Sequence, residues 1–156
     1  MLSRLLVQLT MILIITLIVF AAGYKYDHIQ LSMPGYLLAL IASLLGGAVY
    51  LSLGQLIVGR IKNPETINST TRLVYIAFVM LGMVGETYDF SKLGKLGAHI
   101  KDIIHWSPYG TTRALMANSM QPGTWTNDNS LMLLVTLGYI IVFATLGIKW
   151  FKWSTR

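Results

Sequence analysis

The chain has 156 residues and no cysteine. Disulfides, thiolate nucleophiles and Cys-ligated metals are therefore excluded. Charge is also scarce. Only 12% of the residues are Asp, Glu, Lys or Arg, whereas soluble domains carry roughly 25%. Acidic side chains are fewest, six against twelve basic ones, and the net charge is +6. No phosphate-binding GxxxxGK loop, no GxSxG elbow, no HExxH pair and no dinucleotide fingerprint occurs in the sequence. The residues thus offer no recognisable ATP site and no nucleophile–base pair, so the chain does not read as an enzyme and calls for no cofactor.

In place of charge there are long apolar runs, with 54% hydrophobic residues and a mean hydropathy of +0.62. The run 5–22, LLVQLTMILIITLIVFAA, has no charge in eighteen residues. At ~1.5 Å per residue it nearly crosses a bilayer core, and a soluble helix would keep one polar face. Ala21-Ala22-Gly23 offers the small residues of a signal cleavage site. The run is longer than the ~7–15-residue core of a signal peptide, so the segment is read as a retained helix. A second run, 36–58, carries small residues at Ala42, Ser43, Gly46, Gly47, Ser52 and Gly54. These suit close helix packing or are ordinary glycine content for a membrane helix. A third, 70–88, is marginal in length, with Arg72 near one end; a fourth, 131–148, is unambiguous. The sequence therefore predicts a single all-α polytopic membrane domain over 1–156, with about four transmembrane helices and an outer amphipathic or re-entrant helix.

Four spans put the N-terminus, the 59–72 loop and the C-terminus on one side. That side carries Arg4, Arg60, Lys62, Arg72, Lys149, Lys152 and Arg156, and the other Lys25, Lys92, Lys95, Lys101 and Arg113. Short loops rich in Lys and Arg stay in the cytoplasm, so both termini are expected there, in a multi-pass protein of the cell membrane. The aromatic–basic cluster Lys149, Trp150, Lys152 and Trp153 reads as an interfacial anchor. The basic balance is explained by this topology, and nucleic acid is not an expected partner.

The long segment 87–130 carries structure of its own. Over 92–105, Leu93, Leu96, Ile100, Ile103 and Ile104 fall on one helical face, with Lys92, Lys95, His99, Asp102 and His105 elsewhere. Ser107-Pro108 ends that helix, a second short helix fits 111–118, and Gln121-Pro122-Gly123 is a turn. His99, Asp102 and His105 lack the further ligand a metal site needs, and the bland reading is a wetted helix face. Glu86 and Asp89 flank the end of the third span. A carboxylate at membrane depth is a candidate for substrate passage, chiefly Glu86, or else lies in the headgroup region. The Asn68-Ser69-Thr70 sequon would face the cytoplasm and go unused.

Three stretches taken in order resemble a known family. They are GRIKNPETINSTT at 59–71, LGAHIKDIIHWSPYGTTR at 96–113 and LGYIIVFATLGIKWFKW at 137–153. The order is a loop before a short span, an amphipathic helix, a Ser-Pro turn, a short helix with an arginine, and a closing span ending in Lys149–Trp153. It resembles the C-terminal portion of ABC-2 type transporter permeases, the membrane subunits of one class of ATP-binding cassette exporter. Those permeases have about six spans, and this chain would supply the last four. The family tends to place a proline after its fifth span, where this chain reads Gly85-Glu86-Thr87-Tyr88.

The resemblance implies a subunit without catalysis of its own. A cytoplasmic P-loop ATPase would hydrolyse ATP, and a second permease unit, or a companion carrying the missing helices, would complete a central path through the bilayer. The outer helix would cap that path, and the spans 5–22 and 36–58 would line it. Pore-facing candidates are then Gln8, Thr10, Thr16, Ser43 and Ser52, with Glu86 at the outer end. Each of the hydroxyl and amide residues is more often a helix-packing contact. The competing expectations are a small structural or accessory membrane protein that scaffolds a larger complex, and an intramembrane enzyme using Glu86, His99, Asp102 or His105.

Overall fold

The computed structural model describes residues 2–26, 28, 30–61, 63–90, 94–121, 123 and 125–150, with the side chains of 2–5, 64 and 86 left aside. It holds six helices: α1 (Leu2–Tyr26), α2 (Met33–Arg60), α3 (Pro64–Thr87), α4 (Gly94–Trp106), α5 (Pro108–Met120) and α6 (Asn127–Trp150). Among the described residues there is no strand. Four helices, α1, α2, α3 and α6, are long and apolar enough to cross a membrane. The protein is therefore a membrane-embedded helical bundle. Its spans start earlier or end later than the apolar runs, because the helices continue into the interface on caps. Ser32 accepts the Gly35 amide at the start of α2 and Asn63 accepts the Glu65 amide at the start of α3, each with a proline in the first turn. The Asn63 cap starts α3 six residues before the expected span and carries the polar Thr66–Arg72 segment into the helix.

α2 is the hub, touching α1, α3, α5 and α6, with its most extensive packing against α6. The small residues of α2 carry this packing: Ala39, Ala42, Val49 and Ser52 are buried. At the far end of the pair, a Cβ on Gly147 of α6 would lie 3.1 Å from the Leu56 amide nitrogen, so the two backbones nearly touch. Arg60 stacks over the Trp150 ring 4.3 Å from its centroid and joins the same two helix ends. Lys152 and Trp153 of the expected anchor lie outside the described residues.

The helices alternate in direction. Thr16 meets Ser43, and Tyr50 meets Phe78, as antiparallel neighbours do, so α1 and α3 run against α2. Asn118 near the end of α5 meets Asn129 at the start of α6. The α1–α2 loop and the α5–α6 connection therefore share one side, here the hairpin side, whereas the last two turns of α3, at Gly82 and Gly85, stand level with the turn between α4 and α5. Residue 2, the α2–α3 loop and the end of α6 share the other.

Candidate functional site: the re-entrant hairpin

α4 and α5 have thirteen residues each, or ~20 Å, too short for a ~30 Å hydrocarbon core. They form a helical hairpin turning at Ser107: α5 runs back along α2, with Thr112 beside Gly46 and Met120 beside Gly35, while α4 lies against the end of α3 at Gly85. The depth of its tip is set by one bond. The Tyr139 hydroxyl donates to the Trp106 carbonyl at 2.7 Å, and Trp106 is the last residue of α4. Tyr139 stands twelve residues past the start of the twenty-four-residue α6. The tip is therefore level with the middle of that span, about 18 Å along it. Irregular backbone at such depth is tolerated only when protein covers it and its polar groups are satisfied.

The Ser107, Thr111 and Thr112 hydroxyls of the turn find partners nearby. Ser107 caps α5 by accepting the Gly110 amide at 3.0 Å, and its own hydroxyl donates to the Ile104 carbonyl at 2.6 Å. Thr112 donates to the Pro108 carbonyl at 2.7 Å, and the Thr111 amide donates to the Ser107 carbonyl. Gly110 is required by close approach, because a Cβ there would run into the Ile104 and His105 carbonyls. Around the tip, the Tyr50 side chain of α2 comes close to that of Thr112. The Tyr109 ring lies over Gly82 of α3, where there is no room for a Cβ. Gly85 faces Ile104 in the same way, so α3 closes the hairpin from the side opposite α6.

α5 is seated by an i, i+4, i+8 stripe. Thr111, Leu115 and Ser119 are almost wholly buried between α2 and α6. Its upper end is tied by Asn118, whose side-chain amide donates to the Asn129 side-chain oxygen Oδ1 at 2.7 Å. Arg113 lies on the opposite, exposed face. α4 is held less tightly. The expected apolar face is packed only through Gly97, Ile100 and Ile104, while Leu96 and Ile103 are exposed and Leu93 lies outside the described residues. The hairpin presents α4 edge-on to its neighbours, so one line of residues touches protein and the rest of the face looks outward. His99, Asp102 and His105 are exposed on α4. Among the described residues no group of three or more His, Cys, Asp or Glu comes together as a metal site.

The residues singled out from sequence do not share one chamber. Thr16 and Ser43 meet across α1 and α2, their hydroxyl oxygens 3.1 Å apart, while each also bonds its own helix, at the carbonyls of Ile12 and Leu40. Ser52 is buried against α6 and donates to the Val49 carbonyl. Thr10 is exposed and donates to the Leu6 carbonyl, and Gln8 is exposed nearly two turns from the N-terminal end of α1. Glu86 lies in the last turn of α3, with its side chain outside the described residues. Among the described residues no buried side-chain nitrogen or oxygen lacks a hydrogen-bond partner. The groups that build the site, Tyr50, Tyr109, Gly110, Asn118, Asn129 and Tyr139, were not among the candidates. Their signal in the sequence is a hydroxyl or amide set inside an apolar run, which must find a partner when buried.

Bundle and hairpin together define a polytopic α-helical membrane protein with a helix–turn–helix element that turns midway along α6. Comparison with models of protein families, with curated proteins and with solved structures finds no match for this chain.

Proposed function

We propose that the chain is a membrane-spanning permease subunit of an ATP-binding cassette exporter. It forms part of the substrate path while a separate cytoplasmic ATPase hydrolyses ATP. The observation that carries the reading is the α4–α5 hairpin. This helix–Ser-Pro–helix unit turns at the level of Tyr139, midway along α6, with α5 packed on α2 and α6 and the turn against the end of α3. Transporters place broken helices at that depth because they cap or line a path. The resemblance of the sequence to ABC-2 permeases assigns the same stretch to an outer re-entrant cap.

The exposure of the spans supports a multi-unit path. α1 and α3 are the least buried of the four, with only 6% of the central window of each covered. α3 also leaves Ser69, Thr71, Arg72 and Tyr75 exposed. Polar side chains on a span need protein or water beside them, so these faces suit a second permease unit or a companion with further helices. The path then lies between units, with both termini of this chain on the cytoplasmic side of the cell membrane. A tagged full-length chain extracted in mild detergent and analysed by mass spectrometry should bring down a P-loop ATPase. Recovery of other intact membrane complexes from the same extract, with no ATPase on this chain, overturns the proposal and favours the scaffold.

A further inference from the structure

Three helices place the turn of the hairpin inside the bilayer. On α6 the uncharged run starts at Leu131, and Tyr139, whose hydroxyl holds the Trp106 carbonyl, stands eight residues further in. That is about 12 Å, less the few ångströms by which a helical side chain leans toward its N-terminus. On α2, Gly46 lies beside Thr112 of α5 and ten residues, about 15 Å, inside the start of the run 36–58. α3 agrees from the opposite surface. Its uncharged run 73–85, between Arg72 and Glu86, covers only ~20 Å of a ~30 Å core and ends at Gly85, against Ile104. The turn is therefore about 10 Å below the hairpin-side surface.

α4 nevertheless exposes polar groups down to this level. Lys95, His99 and Asp102 recur at i, i+4 and i+7, so they share one face, and Trp106 continues it to the turn. All four are exposed, as is His105. Among the described residues Lys95, His99 and Asp102 have no hydrogen-bond or ion-pair partner. Asp102 is four residues from Trp106, so it lies within about 6 Å of the turn whatever the tilt of α4. A cavity lined by Gly85, Tyr88, Asp89, Gly97 and Lys101 separates α4 from the end of α3.

We infer that the polar face of α4 lines a water-filled groove that descends from the hairpin-side surface to the turn at Ser107. Water is the occupant that the charges select. Ionised side chains at such depth face water or a matched charge. A partner helix would have to bring charges of both signs to match Lys95, Lys101 and Asp102, and desolvate each of them. Water needs only an opening. The end of α3 at Thr87 supplies one, because no helical span continues from there to the hairpin-side surface. A groove of this depth leaves about 20 Å of hydrocarbon for a polar group to cross, the length of the α3 run. The inference needs only the bundle and the bilayer, so it stands apart from the exporter reading.

The chain has no cysteine, so single cysteines report cleanly. Asp102→Cys and His105→Cys probe the groove, and Thr126→Cys in the α5–α6 connection is the wet reference. Leu134→Cys and Ile141→Cys, at exposed apolar positions of α6 on either side of Tyr139, are the dry ones. All five positions are exposed, so the substitutions leave packing intact. Each tagged full chain is treated with a membrane-impermeant thiosulfonate carrying a quaternary ammonium, present on both faces of the membrane. The rates are measured in membranes of the producing cells and again after purification into lipid vesicles. A thiolate forms only where water reaches, so Asp102→Cys and His105→Cys should react within about tenfold of the Thr126→Cys rate, and Leu134→Cys and Ile141→Cys at least about a hundredfold more slowly. Rates at residues 102 and 105 as slow as at 141 overturn the groove. A fast Leu134→Cys overturns it too, because Leu134 lies between the turn and the surface, and the bilayer then ends at the turn. Reaction at residues 102 and 105 after purification but not in the cell membranes overturns water as the occupant and assigns the stripe to a partner protein.

Discussion

The turn of the hairpin makes a quantitative prediction for Gly110→Ala. Gly110 is the third residue of α5, and a Cβ on it would sit 2.9 Å from the His105 carbonyl carbon and against the Ile104 and His105 oxygens. These are backbone atoms and cannot rotate away. Moving the Ile104 oxygen also strains the two bonds it accepts, from the Ser107 amide at 3.2 Å and the Ser107 hydroxyl at 2.6 Å. Overpacking against rigid neighbours costs about 1–3 kcal/mol, and each strained hydrogen bond adds about 0.5–1.5 kcal/mol. Alanine returns about 1 kcal/mol of helix propensity. The net expectation is a loss of about 1–5 kcal/mol. Gly54→Ala is the matched control, because nothing lies within 4 Å of a Cβ there, and it should be neutral or up to ~1 kcal/mol stabilising. Equilibrium unfolding in mixed micelles, followed by tryptophan emission, reads the difference, with Trp106 beside the turn as one reporter. Equal stability of the two variants would refute the tight turn at Ser107–Gly110.

Three further substitutions probe the contacts that hold the hairpin and its hub. Tyr139→Phe removes the bond to the Trp106 carbonyl and should cost about 0.5–1.5 kcal/mol, with faster amide exchange at residues 106–110 but not in the middle of α2. Gly147→Leu places a side chain against the Leu56 amide and the Gln55 carbonyl carbon, at 3.1 and 3.3 Å from the Cβ. It should separate α2 from α6 and lower the melting temperature in detergent by more than any of the other variants. Trp150→Leu removes the ring under Arg60 and should cost about 0.5–2 kcal/mol, whereas Trp150→Phe should recover part of it in the same melt.

The spans at 5–22, 36–58 and 131–148 were legible because an apolar run of that length has one physical use. The start of α3 was harder to read, since Ser69, Thr70, Thr71 and Arg72 dilute its hydropathy, yet Asn63-Pro64 is an N-cap followed by a first-turn proline and marks it plainly. Both hairpin helices were legible as elements, from the face of 92–105 and from Ser107-Pro108. Their depth was not, because it depends on Tyr139 and Gly82, which lie thirty-three and twenty-seven residues from their partners Trp106 and Tyr109. Periodicity reports which face of a helix is apolar and is silent about which neighbour covers it. For the same reason Thr16 and Ser43 could be flagged singly but not as a pair, since their meeting depends on the register of two helices.

The seating of α5 also dictates an order of assembly. The segment is half-polar and too short to enter the bilayer alone, and its buried stripe of Thr111, Leu115 and Ser119 is covered only when α2 and α6 stand side by side. α6 is the last of these helices to leave the ribosome. The hairpin must therefore wait at the membrane surface, with its hydroxyls wet, until the final span has inserted, and only then fold down into the gap. Its docking follows the insertion of α6, so a nascent chain arrested before residue 127 would leave α4 and α5 exposed to quality-control proteases.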